Sequence, residues 1–282
     1  MKMNKLLLLS ILLLSVFGLK SQNNTWKEAV ESKNAVLDVI FYENEPFSYF
    51  DKDKQLTGIE IDILNSFKKW MYQNKGVALN YNYIKSTSFQ NTLTTIANGK
   101  TNSIGASTVS KTDQRARDYN FSAPYLKNIS VLISHGDVPT LVSTNHFETT
   151  FSGLIPITIQ GSIHETLLKE VVKACKSERT PEFADSPMKI LELISDNPRY
   201  YGYVDILTYW KYIKNHPSNI KMHKKATIGN EFLGFIFPQN SDWNIPMNEF
   251  FESGFGFTST KAYREILEKH LGYEVIDFVE LD

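Results

Sequence analysis

Cysteine is almost missing from this chain. Cys175 stands alone in 282 residues, so no internal disulfide can form. A chain of this length buries enough apolar surface to fold without one, unlike a small secreted scaffold, and Cys175 itself, beside Leu167, Leu168, Val171 and Val172, reads as a small buried hydrophobe. Paired-cysteine metal sites are excluded with it. The six histidines, His135, His146, His164, His216, His223 and His270, show no metal-ligand spacing. HExxH, GxSxG and P-loop patterns are missing too, so neither a metal, a cofactor nor a catalytic nucleophile is expected. Charge of one sign is also scarce: the formal net charge is -1, without the concentrated basic face that nucleic-acid binding demands. Long apolar runs are limited to LLLLSILLLSVFG at 6–18, short of the roughly 20 residues that a membrane-spanning helix needs.

That run follows Met-Lys-Met-Asn-Lys and precedes Leu-Lys-Ser-Gln. A basic start, an apolar centre and a polar exit describe a secretory signal peptide, so residues 1–22 are read as a leader cut near Ser21 or Gln22. Loss of Lys2, Lys5 and Lys20 with the leader takes the formal charge from -1 to -4. No cysteine follows the run, so a lipid anchor is not expected. The remaining chain of about 260 residues exceeds what one compact core usually spans and predicts two lobes.

Strands and helices alternate throughout. Apolar, β-branched runs at 36–42, 78–84 and 102–108 read as strands. They are separated by a helix with Ile59, Ile63 and Phe67 on one face, acidic at its start through Glu60 and Asp62, and by a helix over 89–97. A second set follows: strand 129–134, helix 141–154, strand 156–160, helix 164–178, helix 187–198, strand 200–207 and helix 208–216. A strand at 232–238 and helices near 244–253 and 260–270 close the chain. This is an α/β pattern with a largely parallel sheet. No flexible tether divides the two sets.

The segment 107–126, STVSKTDQRARDYNFSAPYL, starts where a strand ends, the place at which open α/β sheets form their ligand crevice. Arg115 follows Thr112 by three residues and Ser110 by five. A planar guanidinium there can grip a carboxylate through two parallel hydrogen bonds. A second anion-binding feature is Gly161-Ser162-Ile163, which precedes a helix and would present free backbone amides.

Ser110, Thr112 and Arg115, followed by Phe121-Ser122 and Pro124-Tyr125, resemble the signature of the polar amino-acid-binding branch of the periplasmic solute-binding proteins of ABC importers, the bacterial extracellular solute-binding proteins of family 3. EPFSYFDKDKQLTGIEIDIL, IQGSIHETLL, GYVDIL and LGFIFPQNSDW extend the resemblance in the same order over most of the chain. It implies a two-lobed, type II Venus-flytrap fold with two crossing strands, near Leu126–Ser130 and Asn230–Gly234. Lobe 1 would comprise 36–128 and 233–282, and lobe 2 would comprise 129–232. It further implies a monomeric periplasmic protein, not an enzyme, that hands a small carboxylate-bearing ligand, an amino acid or analogue, to an ABC permease.

By the same resemblance, Arg115 binds the ligand carboxylate with the hydroxyl or amide of Ser110, and the carbonyl of Thr108 faces a ligand amine. Gly161, Ser162 and Ile163 meet the carboxylate from the other lobe. The turn bearing Tyr42, Glu43 and Phe47 offers rings and an acid to the ligand side chain. One departure stands out: counting five residues on from Asp205, where many relatives carry an acid for the ligand ammonium, reaches Trp210. Glu43 or Glu231 could replace that acid, rings such as Trp210 could supply cation–π stabilisation, or the ligand could lack an amine. Two other roles stay open: a cyclohexadienyl-dehydratase-like enzyme using Glu43 or His164, although His164 itself reads as an exposed first-turn residue, and a sensor read by a receptor or a cell-wall enzyme.

Overall fold

A computed structural model describes residues 25–274. The leader assigned to 1–22 lies outside the described residues. The first half of the chain opens with helix α1 (Trp26–Ser32) and strand β1 (Asn34–Phe41), then a small hairpin of β2 (Tyr49–Phe50) and β3 (Leu56–Thr57). Helix α2 (Ile59–Lys75), β4 (Ala78–Lys85), α3 (Phe89–Ala97) and β5 (Ser103–Ser110) follow, then one turn of helix, α4 (Arg115–Asp118), and β6 (Tyr119–Phe121). Strand β7 (Leu126–His135) carries the chain into the second half. That half contains α5 (Phe147–Phe151), β8 (Ile155–Thr158), α6 (Ile163–Ala174), β9 (Glu182–Phe183), α7 (Pro187–Asp196), β10 (Tyr200–Asp205), α8 (Ile206–Asn215) and β11 (Ile220–Met222). Strand β12 (Ile228–Pro238) returns, and α9 (Asn244–Glu252) and α10 (Lys261–Leu271) pack on the first half.

Ten of these strands form one sheet, in the order β4-β1-β5-β12-β7-β10-β8-β9, with β11 on β7 and β6 on β12. Strands β4, β1 and β5 are parallel, as are β10, β8 and β9. Between them β12 and β7 run antiparallel, Leu233 opposite Leu126 and Ile228 opposite Ser130. The two lobes are therefore joined by two adjacent strands at the centre of the sheet.

Local chemistry sets the helix starts. Ser88, Ser162 and Ser186 each cap a helix by accepting the backbone amide three residues on. Helix α2 begins after Gly58, whose φ of 131° leaves no room for a side chain: a Cβ there would stand 2.0 Å from the Phe47 carbonyl oxygen. It ends at Gly76, left-handed, with the amide turned back to Met71 and Tyr72. The first lobe is centred on Phe41, Phe67, Tyr125, Phe235 and Trp243, all buried. The second contains a cluster around Phe151, Tyr201 and Tyr203, and Cys175 is buried within it.

The predicted helix over 141–154 is largely absent: only Phe147–Phe151 is α-helical, after a 3₁₀ turn at Thr144–His146. Three threonines, Asn145 and the Ser152-Gly153 pair disfavour helix in that stretch. The short strands β6, β9 and β11 and helix α1 give too little periodicity to be read in advance.

Candidate functional site

The crevice lies where β1, β5, β8 and β10 end and their loops converge. Tyr42 follows β1, Thr108 and Ser110 close β5, Ile159 follows β8 and Asp205 ends β10. Arg115, Phe89, Asn44, Ser162, Ile163 and His164 complete the wall. The inner space is only about 30 Å³, roughly the share of one water in the liquid.

Arg115 joins the two lobes. Nη1 donates to the Ser110 carbonyl at 2.9 Å and Nη2 to the Gly161 carbonyl at 3.0 Å. The guanidinium lies 5.5 Å from the centre of the Phe89 ring. Burial works against its charge, while nearby Tyr119 and Glu231 favour it. Among the described residues no carboxylate pairs with Arg115 directly.

At the start of α6, Gly161 has φ 76°. Its amide is not free for a ligand, because it donates to Glu165 Oε2 at 2.7 Å, and the Glu165 amide donates to Ser162 Oγ at 3.2 Å. Ile163 and His164, in the first turn, line the crevice, and first-turn amides have no acceptor within their own helix.

Asp205 corrects the sequence reading most. It closes β10, two residues before the end of the predicted strand 200–207, and is buried at 7% exposure on the crevice wall. An acid therefore does stand on the second-lobe wall of the crevice, five residues before Trp210. Trp210 lies on α8, where Ile206, Trp210 and Ile213 share one face and line a separate apolar cavity of about 550 Å³. Burial pushes the Asp205 carboxyl up to about 6, although Asn128 Nδ2 donates to it at 2.5 Å.

His164, expected at the surface, is buried. Its Nε2 lies 3.0 Å from Ser130 Oγ and 3.6 Å from Asp205 Oδ1. Burial lowers its pKa to about 4, with the Arg115 charge adding to the effect and Glu231 opposing it. The ring is therefore neutral at pH 7, and its approach to Asp205 is no ion pair.

Phe47 is also displaced from its expected role. The Pro46 and Phe47 carbonyls accept the amides of Ile59 and Glu60, which folds the turn onto the start of α2 and drives the Phe47 ring fully into the core. Glu43 stands outside the inner crevice, paired with Lys85 at the rim of an outer cavity of about 420 Å³ that also contains Tyr49, Phe50 and Asp185. Tyr42 lines both spaces and its hydroxyl donates to the Asp185 carbonyl across the crevice. Thr108, at φ 51°, has its amide held by the buried Glu60 at 2.9 Å. Glu60 also accepts from Tyr125 Oη at 2.6 Å and Ser48 Oγ at 2.9 Å, while burial raises its pKa.

Sequence reasoning missed Phe89, Asn44, Asn128 and Ser130. The last two left a trace: polar side chains spaced by two inside the apolar run of β7.

Residues 37–272 match the bacterial extracellular solute-binding proteins, family 3. The chain belongs to that family. Within its range of relatives, the chain is 24% identical over 253 residues, 89% of each chain, to a probable histidine-binding protein of Campylobacter jejuni. Among solved structures, an ancestral arginine-binding protein bound to arginine matches with TM-score 0.69 at 19% identity, covering 84% of this chain and 98% of the other. A substrate-binding protein of an ABC uptake transporter from Streptococcus pneumoniae, with bound histidine, matches with TM-score 0.70 at 16% identity, covering 90% and 99%. No helix among the described residues is long and apolar enough to cross a membrane.

Proposed function

We propose that this family member captures an amino acid between its lobes and presents it to an ABC permease from the periplasm, as a monomer and without chemical turnover. The observation that carries this reading is Arg115, a partly buried cation with no carboxylate partner among the described residues, held by carbonyls of both lobes. The ligand α-carboxylate takes the place of the Gly161 carbonyl on Nη2 and receives the amides of Ile163 and His164 from α6. The α-ammonium meets Asp205, with Ser110 Oγ and the Thr108 carbonyl beside it. The side chain passes Tyr42 and Phe89 toward the outer cavity. The names of the histidine- and arginine-binding relatives support an amino acid as ligand. The lobes are taken as 36–128 with 233–282, and 129–232.

An inner space near 30 Å³ does not admit an amino acid, so the lobes must part for entry and close afterwards, and closure is favoured by a ligand that touches both. A dehydratase reading finds less support, because Glu43 is tied to Lys85 outside the inner crevice and His164 faces Ser130.

A thermal-shift screen of the L-amino acids tests the reading. A true ligand raises Tm with the logarithm of its excess over Kd. Arg115→Ala is expected to abolish the shift while leaving the ligand-free Tm within a few degrees. An unchanged affinity in Arg115→Ala sinks the assignment.

A further inference from the structure

We infer that Glu231, which does not reach the crevice, makes the site select for a ligand amino group by fixing the direction of the Ser110 hydroxyl. The inference rests on the proposed function and adds a positioning residue to it. Glu231 sits on β12, one of the two strands between the lobes, and three donors converge on its carboxylate. Ser110 Oγ donates to Oε2 at 3.1 Å, Ser130 Oγ to Oε1 at 3.0 Å and Asn128 Nδ2 to Oε2 at 3.3 Å. An ionised carboxylate can only accept, and a serine hydroxyl has one hydrogen to give. With that hydrogen committed to Glu231, Ser110 shows the crevice lone pairs alone. Lone pairs accept from an ammonium and repel a carboxylate or carbonyl oxygen.

The same acid orders the opposite lobe. The Ser130 hydrogen also points at Glu231, so Ser130 Oγ must accept from His164 Nε2–H at 3.0 Å, which sets the histidine tautomer. Asn128 divides its amide hydrogens between Glu231 and Asp205. Asp205 is thereby anchored from behind, with its remaining acceptor capacity toward the crevice. Meanwhile the Ser110 carbonyl holds Arg115. One concealed carboxylate thus fixes the acceptor wall at the amine end, on the same residue whose backbone positions the carboxylate end.

Paired ligands test this: L-histidine against imidazolepropionate, and L-arginine against 5-guanidinopentanoate, each pair differing by the α-amine alone. Binding is measured by calorimetry for wild type, Glu231→Gln, Ser110→Ala and the double variant, with circular dichroism to confirm the fold. Glutamine keeps the size but offers N–H groups that turn the Ser110 hydroxyl around. The preference for the amino acid over its deaminated partner is expected to fall about tenfold in Glu231→Gln, the scale of one hydrogen bond to a charged group. The deaminated acids should bind nearly as before. Ser110→Ala should show a similar loss, and the double variant no more than either.

An unchanged preference in a folded Glu231→Gln protein overturns the inference. So does an equal loss for both members of a pair, which marks a merely structural role, or additive losses in the double variant. Should Glu231→Gln fail to fold, retention of the preference in Ser110→Ala overturns it as well. If wild type binds no amino acid at all, the proposed function falls and takes this inference with it. If it binds one through Arg115 but Glu231→Gln leaves the preference intact, only the inference falls.

Discussion

Burial holds the Asp205 carboxyl near pKa 6 in the ligand-free protein, and an ammonium beside it would pull that value down. Ligand binding near pH 6 is therefore expected to release protons, and affinity for an amino acid to fall as pH drops through about 6. Calorimetry between pH 7.5 and 5, in buffers of different ionisation enthalpy, checks both. Histidine 223 makes a separate stability prediction. It accepts the Leu141 amide on Nδ1 at 3.1 Å and lies against Ser134 Oγ at 2.8 Å, and burial first, then Lys221, lowers its pKa from 6.5 to about 4. The unfolded chain binds this proton more readily, so the stability that His223 contributes is present above about 6.5 and is lost as pH falls from there toward 4. Asp205 and Glu60, with raised values, act in the opposite direction. The difference isolates His223: His223→Gln should lose less stability than wild type between pH 6.5 and 4.5, measured by urea unfolding. Arg115 was legible as a single residue because its spacing from Ser110 is local. Phe47 and Trp210 were not, since whether an aromatic faces a crevice or a core depends on which way its element is docked, and an isolated ring carries no record of that.

Elements constrain substitution where backbones approach closely. Gly202 lies in β10, and a Cβ there would stand 2.3 Å from the Ile157 carbonyl oxygen of β8. Backbone cannot retreat as a flexible side chain can. Gly202→Ala is expected to destabilise by about 3 kcal/mol or more, whereas Gly153→Ala, with nothing within 4 Å, should stay within about 1 kcal/mol. Chemical denaturation distinguishes the two. Most elements were readable from alternation of apolar residues, including α2, α6 and β1. The failure at 141–154 had a stated local cause, and the overrun at β10 had another: YYGYVDIL is apolar on both sides of Asp205, so the strand's end there is set by pairing with β7, Asp205 opposite Ser130.

At the scale of the whole molecule, several contacts among the described residues link the two lobes. Arg115 reaches Gly161 at 3.0 Å, Thr208 Oγ1 donates to Asn44 Oδ1 at 3.3 Å, Lys211 stands 3.6 Å from Glu45, and the Tyr42 hydroxyl donates to the Asp185 carbonyl. Tyr42→Phe removes one hydrogen bond of the closed form and leaves the ring. It should weaken ligand binding about fivefold, as expected for a loss near 1 kcal/mol, while small-angle scattering still shows compaction at saturating ligand. That the chain forms two lobes was legible from two α/β sets without a tether. The path between them came from the family resemblance, which put the crossings near Leu126–Ser130 and Asn230–Gly234, where β7 and β12 pair; apolar patterning does not distinguish such central strands from any other.

The return of β12 to lie against β5 has a consequence for assembly. The first lobe's core includes Phe235, Phe237, Trp243, Phe250 and Phe257, all contributed after the entire second lobe has been traced. A nascent chain can therefore finish its interior half before the half that holds its beginning. Until the last strand and its two helices emerge from the ribosome, β5 has an unpaired edge and the sheet beside it an uncovered face. The first lobe of such a polypeptide thus stays incomplete until synthesis is nearly over.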